Sequence, residues 1–267
     1  MLLPPIALSF PRWKLSMDSC EKQVAGMKEA YSRLARFKDI HSGSRGFIVG
    51  NGPSLKDADL DMLTEEITFA ANKIYLLFDQ TSFRPTYYAA VDLIFLENFH
   101  TRVAELDTIK FFPKWADPWF PPTAATFFFQ EKGLPKDEGF DPSFSYDICQ
   151  GIYGGYTVSF TSIQIAFFMG IRELYLLGMD HTYEVPKNRG SHPLYGEVLL
   201  SEGEINHFAP NYRVPGEAWS IPRPEYQEEA FSLAREVFRS HGGRIVNVTR
   251  GGQLEVFPRL SLEEVLQ

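Results

Sequence analysis

The stretch Arg45-Gly46-Phe47-Ile48-Val49-Gly50-Asn51-Gly52-Pro53-Ser54-Leu55 limits what this chain can fold into more than any other. An apolar run of strand length ends in a Gly-Asn-Gly-Pro turn, and the pattern predicts a helix starting near Ser54. Gly50 and Gly52 permit backbone angles closed to other residues and let a ligand approach the main chain. Pro53 suits a first helical turn, where its missing N–H costs nothing. The free N–H groups and dipole of that helix end would face an anion, most simply a phosphate. A strand, Gly turn and helix near the start of an α/β domain is where nucleotides usually sit. The turn lacks both the Lys-Ser/Thr ending of a P-loop and the third glycine of a dinucleotide fingerprint, so it also fits a turn without a ligand.

The remaining chain alternates in the same way. Val24, Met27, Ala30, Tyr31, Leu34 and Phe37 predict a helix over 18–39. Strands are expected at Ile67–Ala71, Thr86–Val91, Thr126–Gln130, Glu173–Leu177 and Gly243–Val248, with a short strand in the tail. Helices are expected at Thr157–Met169 and Pro224–His241, and Phe111–Pro122 reads as an irregular loop. Residues 182–223 are rich in Pro, Gly, Asn and His without sustained periodicity, a length of irregular chain that is usually a lid or binding loop. The expected fold class is α/β, a mostly parallel Rossmann-like sheet flanked by helices, with a lid segment. The domain expectation is a helical extension over 1–44 and a single nucleotide-binding catalytic domain over 45–267, its lid at about 181–223.

Charge narrows the partners. With 26 Lys and Arg against 34 Asp and Glu, the net charge of -8 argues against a nucleic-acid partner. A phosphorylated ligand must therefore be held by local donors. Cys20 and Cys149 lack metal-ligand spacing and read as reduced thiols. Met1–Leu15 is apolar but is broken by Pro4, Pro5 and Pro11 and too short to span a bilayer. It can touch a membrane surface through Trp13 and Lys14, or pack on the core or a neighbouring subunit. The expected location is cytoplasmic, including the inner face of the cytoplasmic membrane, and self-association fits the apolar N-terminus and the 15% aromatic content, which also suggests a sheet-rich core with aromatic-lined surfaces.

Asn51, Asn72, Asp92, Asp180 and Asn247 each follow an apolar run, so the carboxyl edge of one sheet could gather all five. Each alone reads equally well as a helix cap or turn former. Asp57-Ala58-Asp59-Leu60-Asp61 contains overlapping D-x-D patterns, yet acids in the first turns of a helix simply complement its dipole. Among six histidines, His207 lies inside the lid segment, followed by Tyr212. Over a nucleotide it could deprotonate an acceptor hydroxyl; it reads equally as a structural loop histidine.

Gly50-Asn51-Gly52-Pro53-Ser54-Leu55, Asn72 and Met169–Asp180 together resemble the glycosyltransferase family 42 sialyltransferases of bacterial surface-glycan synthesis, such as lipopolysaccharide and capsule. Val246–Phe257 resembles more the related family named after 6-hydroxymethylpterin pyrophosphokinase. The first resemblance implies a GT-A-variant-like fold and an inverting transfer of sialic acid or a related keto-sugar from a CMP-activated donor to a glycan acceptor. It implies no metal and no cofactor beyond the CMP-sugar substrate. It places Gly50, Asn51, Gly52, Ser54, Asn72 and Asp92 on the nucleotide, with Thr157 and Ser159 near the family's Thr-Ser-Gly stretch. Gly178, Met179 and Asp180 fall beside the ribose or base; His207 matches the general base, and Tyr183 and Tyr212 the lid tyrosines on the leaving phosphate.

Two departures stand out: Asp92 replaces an asparagine, and Gly154-Gly155-Tyr156 replaces an arginine before Thr-Ser-Gly. One alternative is an ATP- and Mg²⁺-dependent pterin pyrophosphokinase, for which Asp92 and Asp180 would be the carboxylates near the triphosphate. Another is a nucleotide-sugar-binding protein without catalysis.

Overall fold

The computed structural model describes residues 33–133 and 140–267. In chain order the elements are β1 (Arg45–Val49), α1 (Asp57–Asp61), β2 (Ile67–Ala71), β3 (Tyr87–Ala89), α2 (Leu93–Ala104), β4 (Ile109–Pro113), β5 (Thr126–Phe129), β6 (Glu131–Lys132) and β7 (Ile152–Tyr153). There follow α3 (Val158–Phe168), β8 (Glu173–Leu177), β9 (Arg189–His192), β10 (Gly196–Leu200), β11 (Ala218–Trp219), α4 (Pro224–Ser240), β12 (Arg244–Asn247) and α5 (Leu262–Leu266). Seven strands form one sheet in the order β12-β8-β1-β2-β3-β4-β5, and every pairing is parallel. The fold is the expected α/β class.

Both faces of the sheet are covered, so its strands read as continuous apolar runs. Alternation splits them: Ile48, Phe69, Tyr87, Phe111, Phe127 and Leu176 pack in one core, and Phe47, Val49, Ala70, Tyr88, Phe112 and Leu177 in the other. Helix α3 has residues Ser159 to Phe168 all buried, the polar Ser159, Thr161, Ser162 and Gln164 included, and packs against α4. Aromatic pairs tie neighbouring strands together, including Phe69 on Tyr87 at 4.9 Å and Phe111 on Phe127 at 5.7 Å. Many of the phenylalanines thus fill the core.

Several expectations need correction. Phe111–Pro122 is not all loop, because Phe111 and Phe112 are wholly buried in β4, with Pro113 at its end. Helix α2 was not foreseen. The lid segment is partly regular: β9, β10 and β11 form a three-stranded antiparallel sheet. The tail holds an isolated bridge between Asn247 and Arg259, then α5, opened by a capping box between Ser261 and Glu264. The predicted helix over 18–39 and the apolar Met1–Leu15 lie largely outside the described residues, with 33–35 helical. No helix among the described residues is long and apolar enough to cross a membrane.

The sheet order reverses beside β1: the chain runs outward through β2 to β5, then returns to lay β8 and β12 on the other side. A crevice opens at the carboxyl ends of strands at such a switch point.

Candidate functional site

The loops leaving β1 and β8 are laced together at that crevice. Gly50 N–H donates to Leu177 O at 2.8 Å, and Gly52 N–H to Gly178 O at 2.9 Å. Ser54 donates its N–H (3.1 Å) and its hydroxyl (2.8 Å) to the two oxygens of Asp180. A Cβ on Gly50 would overlap Gly178 O, and one on Gly52 would overlap Asp180 Oδ2, so close approach of two loops demands glycine at both places.

This corrects the expected phosphate cradle. Helix α1 begins at Asp57, not Ser54, and is five residues long. The N–H groups of Gly50, Gly52 and Ser54 are spent on internal acceptors, with the Asp180 carboxylate standing where an anion was expected. Burial raises the Asp180 pKa, opposed by its bonds to Ser54 and by Arg259.

The helix end that does face the cleft belongs to α3. Thr157 caps it, accepting from Ser159 N–H at 3.2 Å, and Thr157, Val158, Ser159 and Ser162 line the cavity. Opposite stand Asn51 and Asn72. Asn51 donates its amide to Ala71 O at 3.1 Å, leaving its Oδ1 buried and without a partner, and Asn72 Oδ1 is likewise buried and unpartnered. Asn72 holds φ at 50° and His181 at 55°, so two of the backbone's left-handed non-glycine residues border this cleft. Tyr88 fixes the first by donating its hydroxyl to Asn72 O at 2.9 Å.

The lid segment closes one wall. Phe208 N–H donates to Asn51 O at 3.1 Å, a direct main-chain link between lid and β1 loop. The His207 ring stacks on Tyr212 at 3.7 Å and 1°. Beneath them the buried Lys73 ammonium donates to Tyr212 O at 2.6 Å and pairs with Glu217 at 2.7 Å. Burial, then the charges of Arg213 and Lys73, lower the His207 pKa to about 2, so the imidazole is neutral in the free protein. Tyr183 donates its hydroxyl to Gln227 Oε1 at 2.9 Å, and Asn206 clamps the Glu184 backbone by bonds of 2.7 and 2.8 Å.

The cleft brings together Gly50, Asn51, Gly52, Asn72, Thr157 and Ser159. It also gathers Gly178, Met179, Asp180, Tyr183, His207 and Tyr212. Ser54 turns away onto Asp180. Asp92 lies outside the lining because it caps α2, accepting from Phe95 N–H at 2.9 Å and Ser220 Oγ at 2.7 Å. Asn247 is wholly buried, holding Leu254 O and Thr249 N–H. The D-x-D acids are structural: Asp59 is buried against Arg250, and Asp61 accepts from Thr81. His181, one of six histidines the sequence offers as base candidates, lines the cavity, as do Thr182, Asn206 and Gln227, which sequence reasoning missed. For Thr182, nearness to Asp180 was the available signal; Gln227 sits in a helix whose spacing marks it only as buried.

The family described as "6-hydroxymethylpterin diphosphokinase MptE-like" matches this chain over residues 21–186. Among solved structures the chain is similar to the MAf glycosyltransferase from Magnetospirillum magneticum AMB-1, at 15% identity and a TM-score of 0.45. That match covers 88% of this chain and 38% of the other, so the chain spans well under half the length of that protein. No curated protein matches it.

Proposed function

The chain belongs to the 6-hydroxymethylpterin diphosphokinase MptE-like family, and we propose that this member is a nucleotide-dependent transferase moving a sugar from a CMP-activated donor, without a metal and with inversion. The carboxylates carry this reading. Among the described residues Asp180 is the one carboxylate lining the cleft, and Ser54 already holds both its oxygens. Asp92, the second acid a Mg²⁺-bound triphosphate would use, is committed to capping α2. A single phosphate fits better. The dipole and hydroxyls at the start of α3 favour one anion by up to about 2 kcal/mol in a partly buried setting. The partnerless oxygens of Asn51 and Asn72 accept from neutral donors, such as a base amino group or sugar hydroxyls.

The resemblance to family 42 supports CMP and a sialic-type keto-sugar, with a surface glycan as acceptor. The acceptor oxygen attacks the anomeric carbon, the bond to the CMP phosphate oxygen breaks, and the acceptor proton passes to His207. Charge growing on the phosphate is met by Thr157, Ser159 and the α3 terminus; one such donor is typically worth about 3 kcal/mol in the transition state. At a pKa of about 2 the free imidazole is a poor base. Burial is the larger cause and a bound donor does not relieve it; the donor's negative charge opposes only the fields of Arg213 and Lys73 and draws that pKa upward from there. Tyr212 packs the ring in position, and Tyr183 must release Gln227 to reach the phosphate.

The family description favours a second reading, diphosphate transfer from ATP to a hydroxymethylpterin, whose amino group would also satisfy the two asparagine oxygens. Thermal stabilisation by CMP, CDP, UDP, GDP and ATP, each with EDTA and with Mg²⁺, separates the two. A ligand at about 100 times its Kd adds about 2.7 kcal/mol. Stabilisation by CMP or CDP that survives EDTA is the expected result. Stabilisation by Mg·ATP alone overturns the glycosyl-transfer reading.

A further inference from the structure

Arg213 is the least explained charge among the described residues. It sits within the lid segment next to Tyr212, its guanidinium 3.8 Å from the centre of the Trp219 ring. Its Nη1 is buried and has no hydrogen-bond partner, and Trp219 Nε1 beside it is also buried and unpartnered. Two orphaned donors on stacked side chains call for an acceptor. Two of the three nearby carboxylates are spent elsewhere. Glu217 accepts from Lys73 and from Val214 N–H. Asp92 accepts from Phe95 N–H and Ser220. Glu204 uses one oxygen on Ser201 and Glu202 N–H, and its Oε1 is left free. A buried guanidinium N–H without an acceptor is costly, so the fold keeps the half-buried Arg213 at the expense of its own stability. Its charge reaches His207, Tyr212 and Tyr183, which all line the cleft.

We infer that Arg213 and Trp219 Nε1 form an oxyanion subsite behind the cleft, holding a carboxylate or phosphate of the substrate. A planar guanidinium fork matches either group in a bidentate way, and the Trp219 ring holds the fork in place. This rests on the transferase reading and narrows its substrate class to molecules carrying an anion on the lid side.

The test compares wild type with R213M, which keeps the aliphatic stem over Trp219 and removes the charge. Melting is followed alone, with inorganic phosphate, with N-acetylneuraminate, and with CMP, against sodium chloride of equal ionic strength. Free R213M is expected to melt no lower than wild type, since the unpartnered buried Nη1 is removed with the charge. Wild type is expected to be stabilised by phosphate or N-acetylneuraminate, with binding weakened about tenfold or more in R213M. Phosphate alone assigns the subsite to a phosphoryl group, and N-acetylneuraminate alone to a sugar carboxylate. No stabilisation of wild type by either anion, or equal stabilisation of R213M, overturns the proposal and leaves a water bridge to Glu204. CMP reports separately: CMP binding without an Arg213-dependent anion effect sinks only this subsite, and the reverse pattern sinks only the CMP reading.

Discussion

Gly52→Ala tests whether the loops of β1 and β8 are locked by Asp180. The new Cβ would overlap Asp180 Oδ2, stand 2.6 Å from its Cγ and 2.8 Å from Gly178 O. The carboxylate must swing out and release the two Ser54 bonds, each worth about 1.5–3 kcal/mol for a charged acceptor. Crowding against the fixed Gly178 carbonyl adds about 1 kcal/mol or more. Allowing for overlap between these effects, the loss is about 3–5 kcal/mol, a large part of the roughly 5–15 kcal/mol of a folded domain. Urea unfolding should show a lower midpoint at unchanged slope. The decisive arm is the double-mutant cycle with Asp180→Ala. Without the carboxylate, G52A should cost only about 1–2 kcal/mol, giving a coupling of about 2–3 kcal/mol. A G52A cost below about 1 kcal/mol, or one unchanged in the D180A background, refutes the steric argument.

Lys73→Met leaves the partly buried Glu217 without its cation and should destabilise by about 2–3 kcal/mol, with much of the loss recovered in the double variant K73M/E217L; denaturant melts decide. The folded His207 titrates well below the ordinary 6.5, so as pH falls through that value the unfolded chain takes up a proton that the folded one refuses. Stability should fall by about 1 kcal/mol per pH unit more in wild type than in H207Q between pH 6.5 and 5, and parallel curves would contradict the burial. Asn72→Ala keeps a side chain at positive φ without asparagine's tolerance for it and should cost about 1 kcal/mol, whereas N72G should not; both should lose CMP binding, read by calorimetry.

The legible parts of the fold were those where pattern and packing agree. Glu173–Leu177 and Ile67–Ala71 were readable to the residue because each is an apolar run of strand length with a polar or glycine stop. β4 was hidden because Phe111 and Phe112 run straight into Pro113 and a Trp- and Pro-rich turn, which read as irregular chain. Helix α2 was hidden because its buried positions, Ile94, Leu96 and Val103, make no regular stripe in the sequence. At the site, strand-end position located Asn51, Asn72 and Asp180, but spacing cannot distinguish a ligand contact from a cap, and Asp92 proved to be a cap. The Gly-Asn-Gly turn was right in place and different in purpose. Its glycines admit a neighbouring loop, which no local pattern encodes because that loop lies far along the chain. Arg213 had no signal at all, since its interest lies in what it fails to touch.

The lid segment leaves the sheet after β8 and returns through α4 into β12, and β8 and β12 are hydrogen-bonded neighbours. Both anchors of the insertion are therefore set by the sheet and not by the insertion's own sequence. Doubling such a loop costs only about 0.6 kcal/mol of closure entropy. The insertion can therefore change in length and sequence, and with it the cleft wall built by His207 and Tyr212, while Asn51, Asn72 and Asp180 keep the places the strand ends give them.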